Sequence, residues 1–310
     1  MQRIAWLAGV AAVLGCVSAA GAQTPPYLGT EGGAASSAEV TSGNRFNPKI
    51  SLILEGNAYR DDAGGEADAL VGMAEGINHV HAGGHDHGGE EPGFNLKPTE
   101  LFFSASVDPR FAAFVQAVMT DDGGVSLEEA YVHTTALPAG LRLKAGKFLS
   151  GIGYHNEKHR HQWDFIEQNL PYQHLLGAHG LMDTGVQLTW TPATPVYTRF
   201  GVEALQGDQA VVGRFDGEAA LAAEGSFPPA EVDRFGEPAE GPRLFTAFAH
   251  VAPNLGYSHE LQAGVFGVYA SEQQELHGDA ATPTHILSGE SWVAGTDWVY
   301  AYDAPHQYGR

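Results

Sequence analysis

The chain has 310 residues, 43% of them hydrophobic, and a formal net charge of -21 with only 16 Lys and Arg. That balance argues against a nucleic-acid partner, because a phosphate backbone is gripped by basic side chains. Beyond the N-terminus no apolar run reaches the ~18 residues of a membrane helix. This leaves a β-barrel open, since a barrel spreads its apolar residues over alternating segments of ~10 residues.

Residues 1–22 read as a secretory signal peptide. Met1-Gln2-Arg3 carries the positive charge, Ile4–Val17 is mostly apolar, and Ala20-Gly21-Ala22 is a small-x-small cleavage site. The sole cysteine, Cys16, falls inside this segment, so no disulfide is expected after export. Val13-Leu14-Gly15-Cys16 offers a competing lipoprotein-like site. Residues 23–46, rich in Gly, Ala and Ser, read as a flexible leader.

The barrel domain is expected over residues 47–310. Pro48–Tyr59 reads as the first strand, with Ile50, Leu52 and Leu54 on one face. Arg60–Asn95 is a long acidic loop, and Leu96–Val107 a second strand ending at the turn Asp108-Pro109-Arg110. Phe111–Met119 and Val125–Thr135 form a hairpin across Asp121–Gly124. After the turn Leu137–Gly140, Leu141–Phe148 alternates Leu141, Leu143 and Ala145 against Arg142, Lys144 and Gly146. Leu149–Leu181 is a long histidine-bearing loop, and Met182–Thr191 returns as a strand. Pro192–Pro195 turns into Val196–Gln206, where Arg199 and Glu203 oppose Phe200 and Val202. Gly207–Gly241 is a second long loop. Arg243–Ala252, Tyr257–Ala270 and Glu290–Tyr302 complete about ten strands, with Pro253–Gly256 a turn and Ser271–Gly289 a loop.

The connections carry the fold reading. Short ones near Asp108, Pro138, Pro192, Pro253 and Pro305 fall at one end of an antiparallel sheet and the longer ones at the other. An antiparallel transmembrane β-barrel has short periplasmic turns and long extracellular loops. An exported soluble β-sandwich is the alternative, although it has no reason to segregate its loops. Tyr131, Trp190, Tyr257, Tyr269, Trp292, Trp298, Tyr300 and Tyr302 lie near expected strand ends, where interfacial girdles would place them. A turn signal after Tyr302 leads to the expectation that further strands follow Arg310.

Leu127–Val132 with Leu137–Phe148 resembles a hairpin of Gram-negative outer-membrane porins of the phosphate-selective type. Gly185–Trp190 resembles the strand after their constriction loop. Asn47–Leu54 resembles the first strand of a subset labelled zinc-regulated or TonB-dependent outer-membrane receptors. The resemblance implies a pore whose third loop, here Leu149–Leu181, folds inward. This chain departs in being acidic, where phosphate-selective lumens are basic, and in having only Gln23–Phe46 where a receptor plug would stand.

Two regions carry candidate chemistry. His79, His81, His85 and His87 with Asp86 lie in a glycine-rich stretch, and neutral imidazole with carboxylate is a donor set for zinc. In the third loop His155, Glu157, Lys158, His159, Arg160, His161 and Asp164 are expected to line a constriction and sort solutes by charge. His155 and His159 would share a face if that part is helical. Arg142, Lys144, Arg199 and Glu203 are the expected lumen-lining residues. No nucleophile, zinc-protease or phosphate-loop motif occurs, so no enzyme is expected. The expected partners are outer-membrane lipid, a small polar or charged solute or a metal ion, and a second copy of the chain. No cofactor is required, and zinc on the histidine-rich loop is the one candidate. The working expectation is a passive outer-membrane channel, with a metal-capturing surface protein as its alternative.

Overall fold

A computed structural model of the chain describes residues 8–11, 48–60, 93–121, 123–164, 169–177, 179–208, 211–215, 238–278 and 283–302. The described strands are β1 (Ala8–Ala11), β2 (Lys49–Ile53), β3 (Glu55–Tyr59), β4 (Gly93–Leu96), β5 (Thr99–Ser106), β6 (Phe111–Met119), β7 (Val125–Thr134), β8 (Leu141–Leu149), β9 (Met182–Trp190), β10 (Tyr197–Leu205), β11 (Leu244–Ala252), β12 (His259–Gly278) and β13 (Pro283–Tyr302). Ten of them form one sheet, β2 beside β5 and then β5 through β13 in chain order. Every registered pair in it is antiparallel. Among the described residues helix is confined to short pieces between β8 and β9 and one 3-10 turn at Pro138–Gly140.

The chain divides into two compact units, Met1–Ser106 with Phe114–Glu129, and Val107–Ala113 with Ala130–Arg310. In the first, β1, β3 and β4 make a small antiparallel sheet, β1 lying inside the segment read as a signal peptide. Here β2 pairs with β5, and the Phe102 and Phe114 rings pack 6.0 Å apart. The buried Gln116 gives its amide to Glu100 at 3.0 Å and Glu128 at 3.1 Å.

The second unit carries β8–β13, a meander whose local chemistry is visible in its turns. Ala139 (φ 62°) and Gly140 (φ 77°) take left-handed backbone, and a side chain at Gly140 would collide with the Thr191 carbonyl. Trp190 Nε1 donates to the Ala139 carbonyl at 3.0 Å and ties that turn to β9. Asp108 Oδ1 accepts from the amides of Arg110 and Phe111 at 2.6 and 2.9 Å, an Asx turn. The apolar core sits at the opposite end of the strands, where Phe148, Ile152, Leu176, Leu181, Leu205 and Leu244 are all buried.

Three expected elements are corrected. Pro48–Tyr59 is two strands, because β2 pairs into the large sheet and β3 into the small one, with Leu54 between them. Leu96–Val107 is broken at Lys97-Pro98, since proline has no N–H to offer a ladder. Ser271–Gly289, expected as a loop, belongs mostly to β12 and β13. The polar run Gln273-Gln274-Glu275 pairs its backbone with Gly289, Ser288 and Leu287. The connection between β12 and β13 is confined to residues 279–282, so it is not one of the long ones.

Candidate functional site

Strands β8–β13 alternate side chains between two unlike faces. On one face Leu141, Leu143, Val186, Leu188, Trp190, Phe200, Val202, Phe245, Val251, Val265, Tyr269, Trp292, Trp298 and Tyr300 are exposed. On the other, Lys144, Gln187, Thr189, Arg199, Glu203, Thr246 and His250 are buried. A sheet in water does the reverse, hiding apolar residues and wetting polar ones.

The described residues 150–164 and 169–177, between β8 and β9, pack on the polar face. Glu203 fixes the start of this covering segment. The carboxylate accepts from the Ser150 hydroxyl, from the Gly151 amide at 2.8 Å, from Gln187 Nε2 at 2.7 Å and from Thr246 Oγ1 at 2.5 Å. Asn156, 1% exposed, joins the two ends. Its amide nitrogen donates to the carbonyls of Ser150 and Leu181 at 2.8 and 3.1 Å, and its oxygen accepts from the Leu181 amide at 2.7 Å. Glu157 then reaches down to Arg199 in a two-pronged ion pair of 2.9 and 2.7 Å. Arg199 also lies over the Phe248 ring, which stacks on His250.

The segment has its own small core. Lys158 pairs with Asp164 at 2.9 Å and sits 3.6 Å from the centre of the Tyr154 ring. Trp163 Nε1 donates to the Lys158 carbonyl at 3.0 Å. The His155 ring packs on Trp163 at 5.2 Å and meets Tyr172 edge-on at 6.0 Å, and Tyr172 in turn meets Phe266 of β12.

These contacts set the charge states. Burial works to raise the Glu157 carboxyl, but the charge and hydrogen bonds of Arg199, with His250 and Lys144, outweigh it and hold the group below the usual carboxylate range. Asp164 is likewise held low, its partial burial outweighed by Lys158 and a hydrogen bond from Tyr154. Burial first, then the nearby Lys158 charge, lowers His155 against the opposing pull of Asp164.

Of the expected lumen-lining residues, Lys144, Arg199 and Glu203 are buried on the covered face and Arg142 lies half-exposed on it. The expected constriction residues all lie in the covering segment, and several of their charges are paired there. Lys158 and Asp164 neutralise each other, and Glu157 is taken by Arg199. His155 and His159 do not share a helix face. The helix ends at Asn156, and His159 caps the separate 3-10 turn Arg160–Gln162, stacked 6.0 Å from His161. His79, His81, His85, Asp86 and His87 lie outside the described residues. Among the described residues no group of three or more His, Cys, Asp or Glu is gathered as metal ligands.

Sequence reasoning missed Asn156, Gln187, Thr246, His250 and Asp297. Thr246, Phe248 and His250 share a face at alternate positions of Leu244–Ala252, and that spacing could have found two of them. Asp297 faces the same side from β13. Register places Arg199, His250, Gly264 and Asp297 in one row across β10–β13.

No family model and no solved structure matches the chain. A protein of Aquifex aeolicus (strain VF5), described only as an uncharacterized protein, is 34% identical over 260 residues, covering 83% of this chain and 52% of the relative. The chain therefore spans about half the length of the curated relative it matches.

Proposed function

We infer that the chain is a pore-forming outer-membrane β-barrel protein passing small polar or charged solutes. The inverted polarity of β8–β13 carries this reading. Exposed Leu, Val, Phe and Trp side chains are costly in water and at home in lipid, whereas Lys144, Arg199 and Glu203 suit a hydrated lumen. The nine-residue strands β8–β11 match the ~9–11 residues a tilted strand needs to cross. The outward aromatics fall in two groups, Trp298, Tyr300 and Tyr302 toward the short turns and Tyr269 with Trp292 toward the other end, as paired interfacial girdles do. Absence of a long apolar helix among the described residues says nothing against this, because barrels cross with strands.

In this reading Ser150–Leu181 narrows the pore and diffusion through it is passive. Refolding the chain into planar bilayers tests it. Stepwise conductance is expected, together with extraction from vesicles only by detergent. A chain that stays monodisperse in detergent-free buffer and never conducts would overturn the reading.

A further inference from the structure

Glu203 has four donors, yet Asp297 on the same face has none. Both its carboxylate oxygens are buried and without a hydrogen-bond partner, and so is Nε2 of His250, a residue 4% exposed. The two side chains converge on one place. In the register, His250 of β11 pairs with Gly264 of β12, and Gly264 with Asp297 of β13. A Cβ added at Gly264 would collide with Asp297 Oδ2 and lie 2.8 Å from His250 Cδ2. The missing side chain therefore leaves the carboxylate and the imidazole facing each other over bare backbone.

The other charges around them are already committed. Arg199, the cation of the same row, is held by Glu157 in the covering segment, and Glu157 is further neutralised by Lys144. From that segment the Tyr154 amide and Tyr172 also face Asp297. The Tyr154 amide does not reach ordinary hydrogen-bonding geometry with it. So Glu157, Arg199 and Asp297 are the charged groups acting on His250, and among them only Asp297 lacks a partner.

We propose that Asp297, with His250 over Gly264, is a binding subsite for small cations crossing the pore. The carboxylate is a two-oxygen ligand and His250 Nε2 an added acceptor, so a cation shedding part of its water finds replacements for it. The proposal rests on the pore reading above, and it names which solutes that pore favours.

The test is the reversal potential of single channels in a potassium chloride gradient at neutral pH. Wild type should prefer potassium over chloride. Asp297→Asn should shift the reversal potential toward zero, and Asp297→Glu should restore part of the preference, which a merely structural role would not do. Asp297→Asn channels with the wild-type reversal potential overturn the subsite. Should Asp297→Asn fail to insert, wild-type channels with no preference for potassium overturn it. A wild-type protein that forms no channel defeats the pore reading and this proposal with it.

Discussion

Glu203 and Asp297 are carboxylates on one polar face, and their surroundings are opposite. Glu203 is surrounded by Ser150, the Gly151 amide, Gln187 and Thr246, drawn from two strands and the covering segment. Asp297 has His250 and the Tyr154 amide beside it, and neither of its oxygens meets a donor in ordinary hydrogen-bonding geometry. A fully satisfied buried carboxylate holds structure in place, because each hydrogen bond strengthens in a low dielectric. An unsatisfied one costs stability and persists where something else uses it. The Glu203 side of the face is thus an anchor for the segment between β8 and β9, and the β11–β13 side holds an unsatisfied carboxylate, the place of the proposed cation subsite.

The largest effect should come from removing the anchor. Glu203→Ala leaves several buried donors unpaired and is expected to cost about 3–5 kcal/mol, the loss of roughly two charge-assisted hydrogen bonds. A shift in the urea midpoint of the refolded protein measures it, and a loss below about 1 kcal/mol would erase the contrast with Asp297. One residue earlier on the same strand, Val202 is 54% exposed on the apolar face. Val202→Arg should cost about 2–4 kcal/mol in a bilayer, because a lipid-facing charge is unsolvated there. On a water-facing sheet the same change would stay within about 0.5 kcal/mol, so this variant separates the two solvents directly.

Acid should loosen the anchor side in two stages. His155 is held below its ordinary value, so an unfolded segment takes its proton first. Its contribution to docking therefore falls as pH drops through ~6.5. Glu157 is held low by Arg199. Its contribution is complete above the ordinary carboxylate value of ~4.3 and is lost as pH falls through the lower folded value. Hydrogen exchange across Ser150–Leu181, corrected for intrinsic rates, should show protection declining in that order. Protection that is flat from neutral pH to about 4.5 would remove His155 from the account. The smallest effect is expected at Asp297→Asn. Neutralising a carboxylate that has no partner should leave stability within about 1 kcal/mol of wild type or raise it. A loss of the Glu203 size would place Asp297 among the anchors.

Much of the sheet was legible because its period of two is written plainly. Leu141, Leu143 and Lys144 sort by face in the sequence as they do in space, and so do Arg199, Val202 and Glu203. The meander order followed from turn residues at Asp108, Pro138 and Pro192. Polar strand ends were not legible, because backbone pairing is indifferent to side chain and Gln273-Gln274-Glu275 resembles a loop in composition. Nor was the site's wiring. Asn156 acts through contacts to Ser150 and Leu181, and no local pattern marks a residue whose partners are the two ends of a segment. Lys158 and Asp164 were legible as charges and illegible as a pair. Asp297 stands between Thr296 and Trp298 with nothing in that neighbourhood to say that Gly264 lies across from it.

The length of β12 has a physical consequence of its own. Its register against β13 is regular from His259 to Ala270 and slips between Ala270 and Gln273, and from Ser271 to Glu275 β12 turns polar. At ~3.4 Å per residue and a tilt of about 40°, His259–Ala270 rises about 30 Å, near the thickness of a bilayer's hydrocarbon. On the proposed pore reading the slip is a waterline. Below it the hairpin is matched to one membrane thickness, and a thicker or thinner bilayer must stretch, compress or tilt around it at a cost per ångström. Such a cost sorts a protein among membranes without any receptor reading an address.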